Sequence, residues 1–209
     1  MLETIWSVVH GSAALVGQNP ELAILVAFAA AIIEAVAVLG VLLPGTPILM
    51  AIAGAAAMSG LSMWPIMLVA VLGAVIGDFV SFWLGQRFST RLRGVWPFKR
   101  QPDLLAEAEL FFARFGMASV AICRFLPVLR STVPLVAGMV GMQRRRFLIA
   151  NVLSALVWAP AHVLPAQYAG LSLDRLAAGE WQPAALCLAI FVAVSVVGWF
   201  VHRAVKARA

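Results

Sequence analysis

Residues 116–142 read GMASVAICRFLPVLRSTVPLVAGMVGM, an apolar run that carries two arginines, Arg124 and Arg130, and two prolines, Pro127 and Pro134. Each side of Pro127 holds ~10–15 residues, or ~15–22 Å at helical rise. That is about half of a ~30 Å hydrocarbon core, or slightly more. The flanks decide how the run is used. Upstream, residues 86–114 carry Arg87, Arg91, Arg93, Lys99, Arg100 and Arg114, and downstream lie Arg144, Arg145 and Arg146. Basic clusters mark the cytoplasmic side of a membrane protein. With both flanks on that side, the run enters and leaves by the same face, as a re-entrant hairpin bent at Pro127. The alternative is a plain bundle of spanning helices with prolines as kinks. It places two arginines in lipid and breaks the charge rule at one end.

The rest of the chain fits a membrane setting. Of 209 residues, 63% are hydrophobic and 11% charged, against ~45–50% and ~25% for soluble domains. Mean hydropathy is +0.99. The length suits one membrane domain. A net charge of +6 could suggest nucleic acid, but the Lys and Arg sit in short clusters between apolar runs. Anionic lipid headgroups are the expected partners, and no nucleic acid is expected. Cys123 and Cys187 each lie inside an apolar run, a pattern of packing residues and not of a disulfide framework or metal site. No metal or cofactor is expected. The N-terminus lacks a basic region and cleavage motif, so no cleaved signal peptide is expected.

Residues 1–20 are mildly amphipathic and stop at Gly17-Gln18-Asn19-Pro20, which suggests an interfacial N-terminal helix. The run 22–43 is interrupted only by Glu34, and Pro44-Gly45-Thr46-Pro47 breaks it. The next run, 48–58, is too short to span. Residues 63–85 form a full-length run carrying Asp78, and 103–115 read as an amphipathic helix in a cytoplasmic linker, 86–115. The run 147–168 then leaves the cytoplasm. Asp174 and Glu180 lie outside, and 183–201 returns to the basic tail of His202, Arg203, Lys206 and Arg208. Trp6, Trp64, Trp96 and Trp181 read as interfacial anchors.

A weak internal repeat runs through this layout. Leu43-Pro44 leads to Ala53-Gly54, and Leu126-Pro127 leads to Ala137-Gly138. Each half then enters a full-length span, and the two spans run in opposite directions. The expected fold is therefore all-α, with two opposed re-entrant hairpins, about 30–58 and 116–142, in inverted repeats beside transmembrane helices. Broken helices meeting at the midplane are a transporter feature.

Charges inside the membrane cost at least ~2.5–3.5 kcal/mol each on insertion scales, so Glu34, Arg124 and Arg130 require a purpose. Two guanidiniums on either side of a proline bend can converge on one phosphate, which they bind bidentately. Glu34 adds a group able to take or release a proton as a phosphate arrives. The plainer alternatives are an internal ion pair between Glu34 and one arginine, snorkelling of Arg130 to the headgroups, and a pair between Asp78 and Arg87. Asn151, Ser154 and His162 fit the role of polar contacts between helices.

These residues resemble the DedA family, also called SNARE-associated or VTT-domain proteins. The likeness rests on Glu34 with Leu43-Pro44-Gly45 and on Gly77-Asp78 with Ser81-Phe82-Trp83-Leu84-Gly85-Gln86-Arg87. It continues in Arg124-Phe125-Leu126-Pro127 with Arg130, in Pro134, Ala137-Gly138 and Met142, and in Phe147, Asn151 and Trp158. It covers roughly residues 30–165. It implies a multi-pass protein of the bacterial inner membrane, with residues 21–209 as one DedA-like domain. It also implies movement of undecaprenyl phosphate or other phospholipids, with proton or sodium coupling. The family's functional acid and arginines match Glu34, Arg124 and Arg130, and Thr46 and Asn151 complete the expected substrate site, with Asp78 in a coupling or structural role. Two departures stand out: Thr46 where many members have an acid after the Pro-Gly, and Phe82 where many have Tyr. The first weakens the case for the same ion coupling.

Four functions follow in order. The first is a flippase for lipid phosphate, and the second a general phospholipid scramblase. A non-transporting scaffold leaves the buried arginines unexplained. An enzyme is not expected, because His10, His162 and His202 are isolated and no nucleophile–base pair or metal cluster is visible. Homo-oligomerisation is left open.

Overall fold

The computed structural model of the chain describes residues 2–37, 39–42, 45–92, 102–124, 130 and 132–177. The helices, in chain order, are α1 (Leu2–Gln18), α2 (Pro20–Ala35), α3 (Leu39–Leu42), α4 (Gly45–Met58), α5 (Met63–Leu92), α6 (Pro102–Phe115), α7 (Ala118–Cys123), α8 (Thr132–Met139) and α9 (Arg144–Ala177). Among the described residues there is no strand. The bend at Pro127, the basic residues at 93–100, the run 183–201 and the tail lie outside them.

Among the described residues, two segments are long and apolar enough to cross a membrane, Met63–Ser89 and Arg144–Ser172. A third is possible by length and composition if the bent pair His10–Gln18 and Pro20–Ala35 is one span, although its halves meet at 104°. α5 and α9 each leave a broad apolar face uncovered. On α5 it is the stripe Trp64, Leu68, Leu72, Ile76, Val80 and Trp83, a spacing that keeps side chains on one face of a helix. Water does not tolerate so large an apolar patch on a monomer, whereas lipid does.

The interior is built from small residues. Ala27, Ala53, Ala56, Ala70, Ala74 and Ala159 are all completely buried, so helix axes approach closely. With lipid outside, such packing rather than the hydrophobic effect holds helices together. Two crossings are tightest. Gly54 of α4 lies against Gly170 of α9, and Gly138 of α8 lies against Gly85 and the Phe82 carbonyl of α5. A Cβ at Gly85 or Gly138 would run into the facing backbone.

α4 and α8 also end alike. The Leu61 N–H donates to the Ala56 carbonyl at 2.9 Å and the Met142 N–H to the Ala137 carbonyl at 3.0 Å. These are the long bonds of Schellman turns around left-handed Gly60 and Gly141. In each case the next residues open the long helix, α5 or α9.

The sequence places the first break at Pro44. The structure ends α2 earlier, at Ala35, with Val36 already extended. The cause is tertiary: the Ser81 hydroxyl of α5 accepts from the Ala37 N–H at 2.9 Å and lies 3.1 Å from the Ala35 carbonyl. A side chain from another helix thus caps α2 before its own proline is reached. The amphipathic helix expected at 103–115 corresponds to α6, and α5 runs past residue 85 to Leu92, with a kink at Phe88.

Candidate functional site

The charges singled out in the sequence lie in two clusters on either side of one tryptophan. The first joins α2, α4 and Arg130. A terminal nitrogen of Arg130 donates to the Glu34 carboxylate at 2.7 Å and to the Thr46 hydroxyl at 3.0 Å. The Thr46 hydroxyl in turn meets both Glu34 oxygens, at 2.7 and 2.8 Å. Glycine at 45 makes this possible. A Cβ there would stand 2.9 Å from a Glu34 oxygen and press on the Ala30 carbonyl. Gly45 therefore lets α4 begin directly over Glu34 and present Thr46 to it.

The second cluster joins α5, α9 and the end of α7. Arg124 forms an ion pair with Asp78, donates through Nη2 to the Asn151 side-chain oxygen, and donates through Nε to the Ser154 hydroxyl at 3.0 Å. Asn151 uses its amide nitrogen on the Val75 carbonyl at 3.1 Å. The sequence suggests Arg87 as the partner of Asp78, and the structure corrects this. Asp78 sits in the middle of α5, one turn from where Asn151 binds, and Arg87 instead lies over the Phe88 ring at 5.9 Å.

Trp158 of α9 separates the clusters and is completely buried. The Arg130 guanidinium carbon is 4.9 Å from the ring centre and that of Arg124 is 6.0 Å away, within the range of cation–π attraction. One indole thus sits beside two positive groups. His162, one turn on, tilts against the same ring at 4.9 Å and hydrogen-bonds the Trp158 carbonyl.

The clusters differ in access. The Arg124–Asp78 side chains are 4% and 9% exposed, and the Arg130–Glu34 pair 12% and 11%. Exposure therefore ranks Arg130 as the more open cation. Among the described residues, no three His, Cys, Asp or Glu groups gather as they do around a metal ion.

Of the expected residues, Glu34, Thr46 and Arg130 come together, and so do Asp78, Arg124 and Asn151. Among the described residues the two arginines share no hydrogen-bond partner, only the Trp158 ring. Two further residues take part. Ser154, expected as a polar contact between helices, accepts from Arg124 Nε, and Trp158, which enters the sequence analysis only through the family likeness, lies beside both arginines. Asn151, Ser154 and Trp158 fall at three- and four-residue spacing, which puts them on one face of α9; that spacing was the available signal.

The VTT domain matches residues 43–168, which takes in α4 to α8, most of α9 and both arginines, and leaves Glu34 of α2 outside. The chain belongs to the VTT-domain, or DedA, family. It is 37% identical over 185 residues to the inner membrane protein YabI of Escherichia coli, covering 86% of this chain and 70% of YabI. To Protein DedA of the same organism it is 32% identical over 134 residues, 61% of this chain and 58% of DedA. A membrane protein of Buchnera aphidicola is 28% identical over 144 residues, 68% of this chain and 56% of that one, so the chain spans little more than half of some relatives. No solved structure matches. Family membership and the apolar helices make this a membrane protein.

Proposed function

We propose that this protein carries a phosphate-bearing lipid across the bacterial inner membrane, with undecaprenyl phosphate as the substrate class that the family likeness implies. One observation carries the reading. Arg130 sits inside an apolar helical body, on the face of a buried tryptophan, held by two groups that can let go of it. A headgroup phosphate offers Arg130 a stronger, bidentate partner than a single carboxylate oxygen. Glu34 and Thr46, already hydrogen-bonded to each other, then release Arg130 to the phosphate. The acyl chain remains in lipid throughout.

The hairpin architecture belongs to the same proposal. α7 and α8 span roughly 9 and 12 Å at helical rise, short of a ~30 Å core, and they touch each other. α4 packs on α9 of the other half, while α8 packs on α5. This reciprocal exchange, with a glycine crossing and a matching turn on each side, supports inverted repeats that enclose the site from both faces.

A second reading, unselective phospholipid scrambling, is favoured by Thr46. The Arg130 cluster holds one carboxylate, Glu34, and a neutral hydroxyl, which limits ion coupling there to one group. Purified protein in vesicles tests both. A phosphorylated polyprenol should change leaflets, Arg130→Gln should stop it, and other phospholipids should compete poorly. Equal movement of all headgroups would favour scrambling. Unchanged movement in folded Arg130→Gln would reject both uses of this site.

A further inference from the structure

The two guanidiniums look equivalent in sequence, and their surroundings differ in three respects. First, Arg124 is engaged on two sides of its fork, through Nε to Ser154 and through Nη2 to Asp78 and Asn151. Second, every one of those partners is buried: Asp78 is 7% exposed, Ser154 4% and Asn151 0%. Third, the two neutral partners are themselves fixed. Asn151 is tied to the Val75 carbonyl and the Ser154 hydroxyl to the Asn151 carbonyl. An anion arriving at Arg124 would have to strip it from a carboxylate that then has no water to replace it. Buried charges are costly to leave unpaired. Arg130 meets one carboxylate and one rotatable hydroxyl, at a more open position.

Arg124 also stands at a particular point in the chain. It is the residue after α7, where the chain sets out toward Arg130. Asp78 is on α5, and Asn151 and Ser154 are on α9, the two long helices. The cluster therefore fastens the end of α7 to both.

We propose that Arg124 is a positioning residue which, with Asp78, Asn151 and Ser154, clamps the end of α7 to α5 and α9, while Arg130 alone exchanges its protein partners for the lipid phosphate. The exchange half of this statement rests on the transport reading above, and the clamp half does not. Arg124 holds the α7 end of the hairpin in register so that Arg130 arrives at Glu34, Thr46 and the Trp158 face. A neutral hydrogen-bonding pair can perform that service. A neutral residue cannot perform the task of Arg130.

Full-length protein in vesicles, supplied with a phosphorylated polyprenol at several mole fractions, separates half-saturation from maximal rate. Arg124→Gln and Asp78→Asn should each lower the maximal rate and leave half-saturation within about twofold. The double variant Asp78→Asn/Arg124→Gln, which leaves no buried charge unpaired, should recover most of the lost rate. Arg130→Gln should raise half-saturation by about tenfold or more, and adding Glu34→Gln should not restore it. A rise in half-saturation for Arg124→Gln equal to that for Arg130→Gln would overturn the assignment, as would a double variant no better than Arg124→Gln alone.

Unfolding in detergent, which needs no transport, reads the same variants. The Asp78 and Arg124 single variants should be less stable than their double. If wild type moves no lipid phosphate but the double is rescued, the transport reading fails and the clamp stands. If the double is no more stable than either single, the clamp is wrong, whatever the transport result.

Discussion

Replacing Trp158 by leucine removes the ring that both arginines share while leaving an apolar side chain of moderate size. The side chain is completely buried, so the cost has two parts. Shrinking a buried tryptophan leaves a cavity; Trp→Ala costs ~3–5 kcal/mol, and leucine recovers roughly half of that volume. Two guanidiniums at 4.9 and 6.0 Å from the ring then lose cation–π attraction of ~0.5–2 kcal/mol each when desolvated. The sum is about 3–5 kcal/mol, with Arg130 taking the larger electrostatic share because it is nearer. Trp158→Phe keeps a ring face and should lose about half as much. Reversible unfolding in detergent gives these values, and a double-mutant cycle isolates the pair. Trp158 and Arg130 should couple by about 1–2 kcal/mol. Additivity within ~0.5 kcal/mol, or equal losses for Leu and Phe, would show that the indole merely fills space.

Other perturbations report on separate parts of the account. Gly138→Val should separate α8 from α5 and destabilise by ~1–3 kcal/mol or more, and loss of a cysteine cross-link between the two helices would report it; a stable variant with the cross-link intact would contradict the crossing. Ser81→Ala removes the cap on Ala37 and should cost ~1 kcal/mol, with amide exchange rising at residues 35–37; unchanged exchange there would refute the cap. Thr46→Val leaves Glu34 and Arg130 without their bridging hydroxyl and should cost ~1–2 kcal/mol while impairing transport; a neutral effect on both would remove Thr46 from the site.

The sequence made the long helices legible because a membrane demands unbroken apolar length, and α5 and α9 answer that demand. Glu34, Arg124 and Arg130 stood out because ionised groups are expensive in an apolar run. Their pairing was not legible. Arg87 is near Asp78 in sequence, yet the true partner lies 46 residues away, brought there by α9, which packs on both α5 and α7. The end of α2 was hidden for the same reason: proline is a local signal, whereas Ser81 acts from another helix. In the sequence Thr46 is a member of the expected substrate site that stands where many relatives have an acid. Its service as a bridge between Glu34 and Arg130 needed the turn at Gly45 to be seen. Trp158 is chemically one more apolar residue in its run, and only the folded chain gives its ring two cations.

In the proposed transport, phosphate and Glu34 compete for Arg130. Native mass spectrometry of the purified full chain with a phosphorylated polyprenol measures that competition directly, without transport. Glu34→Gln should bind the lipid more tightly than wild type, and Arg130→Gln should lose binding. Equal binding by all three proteins would contradict the account.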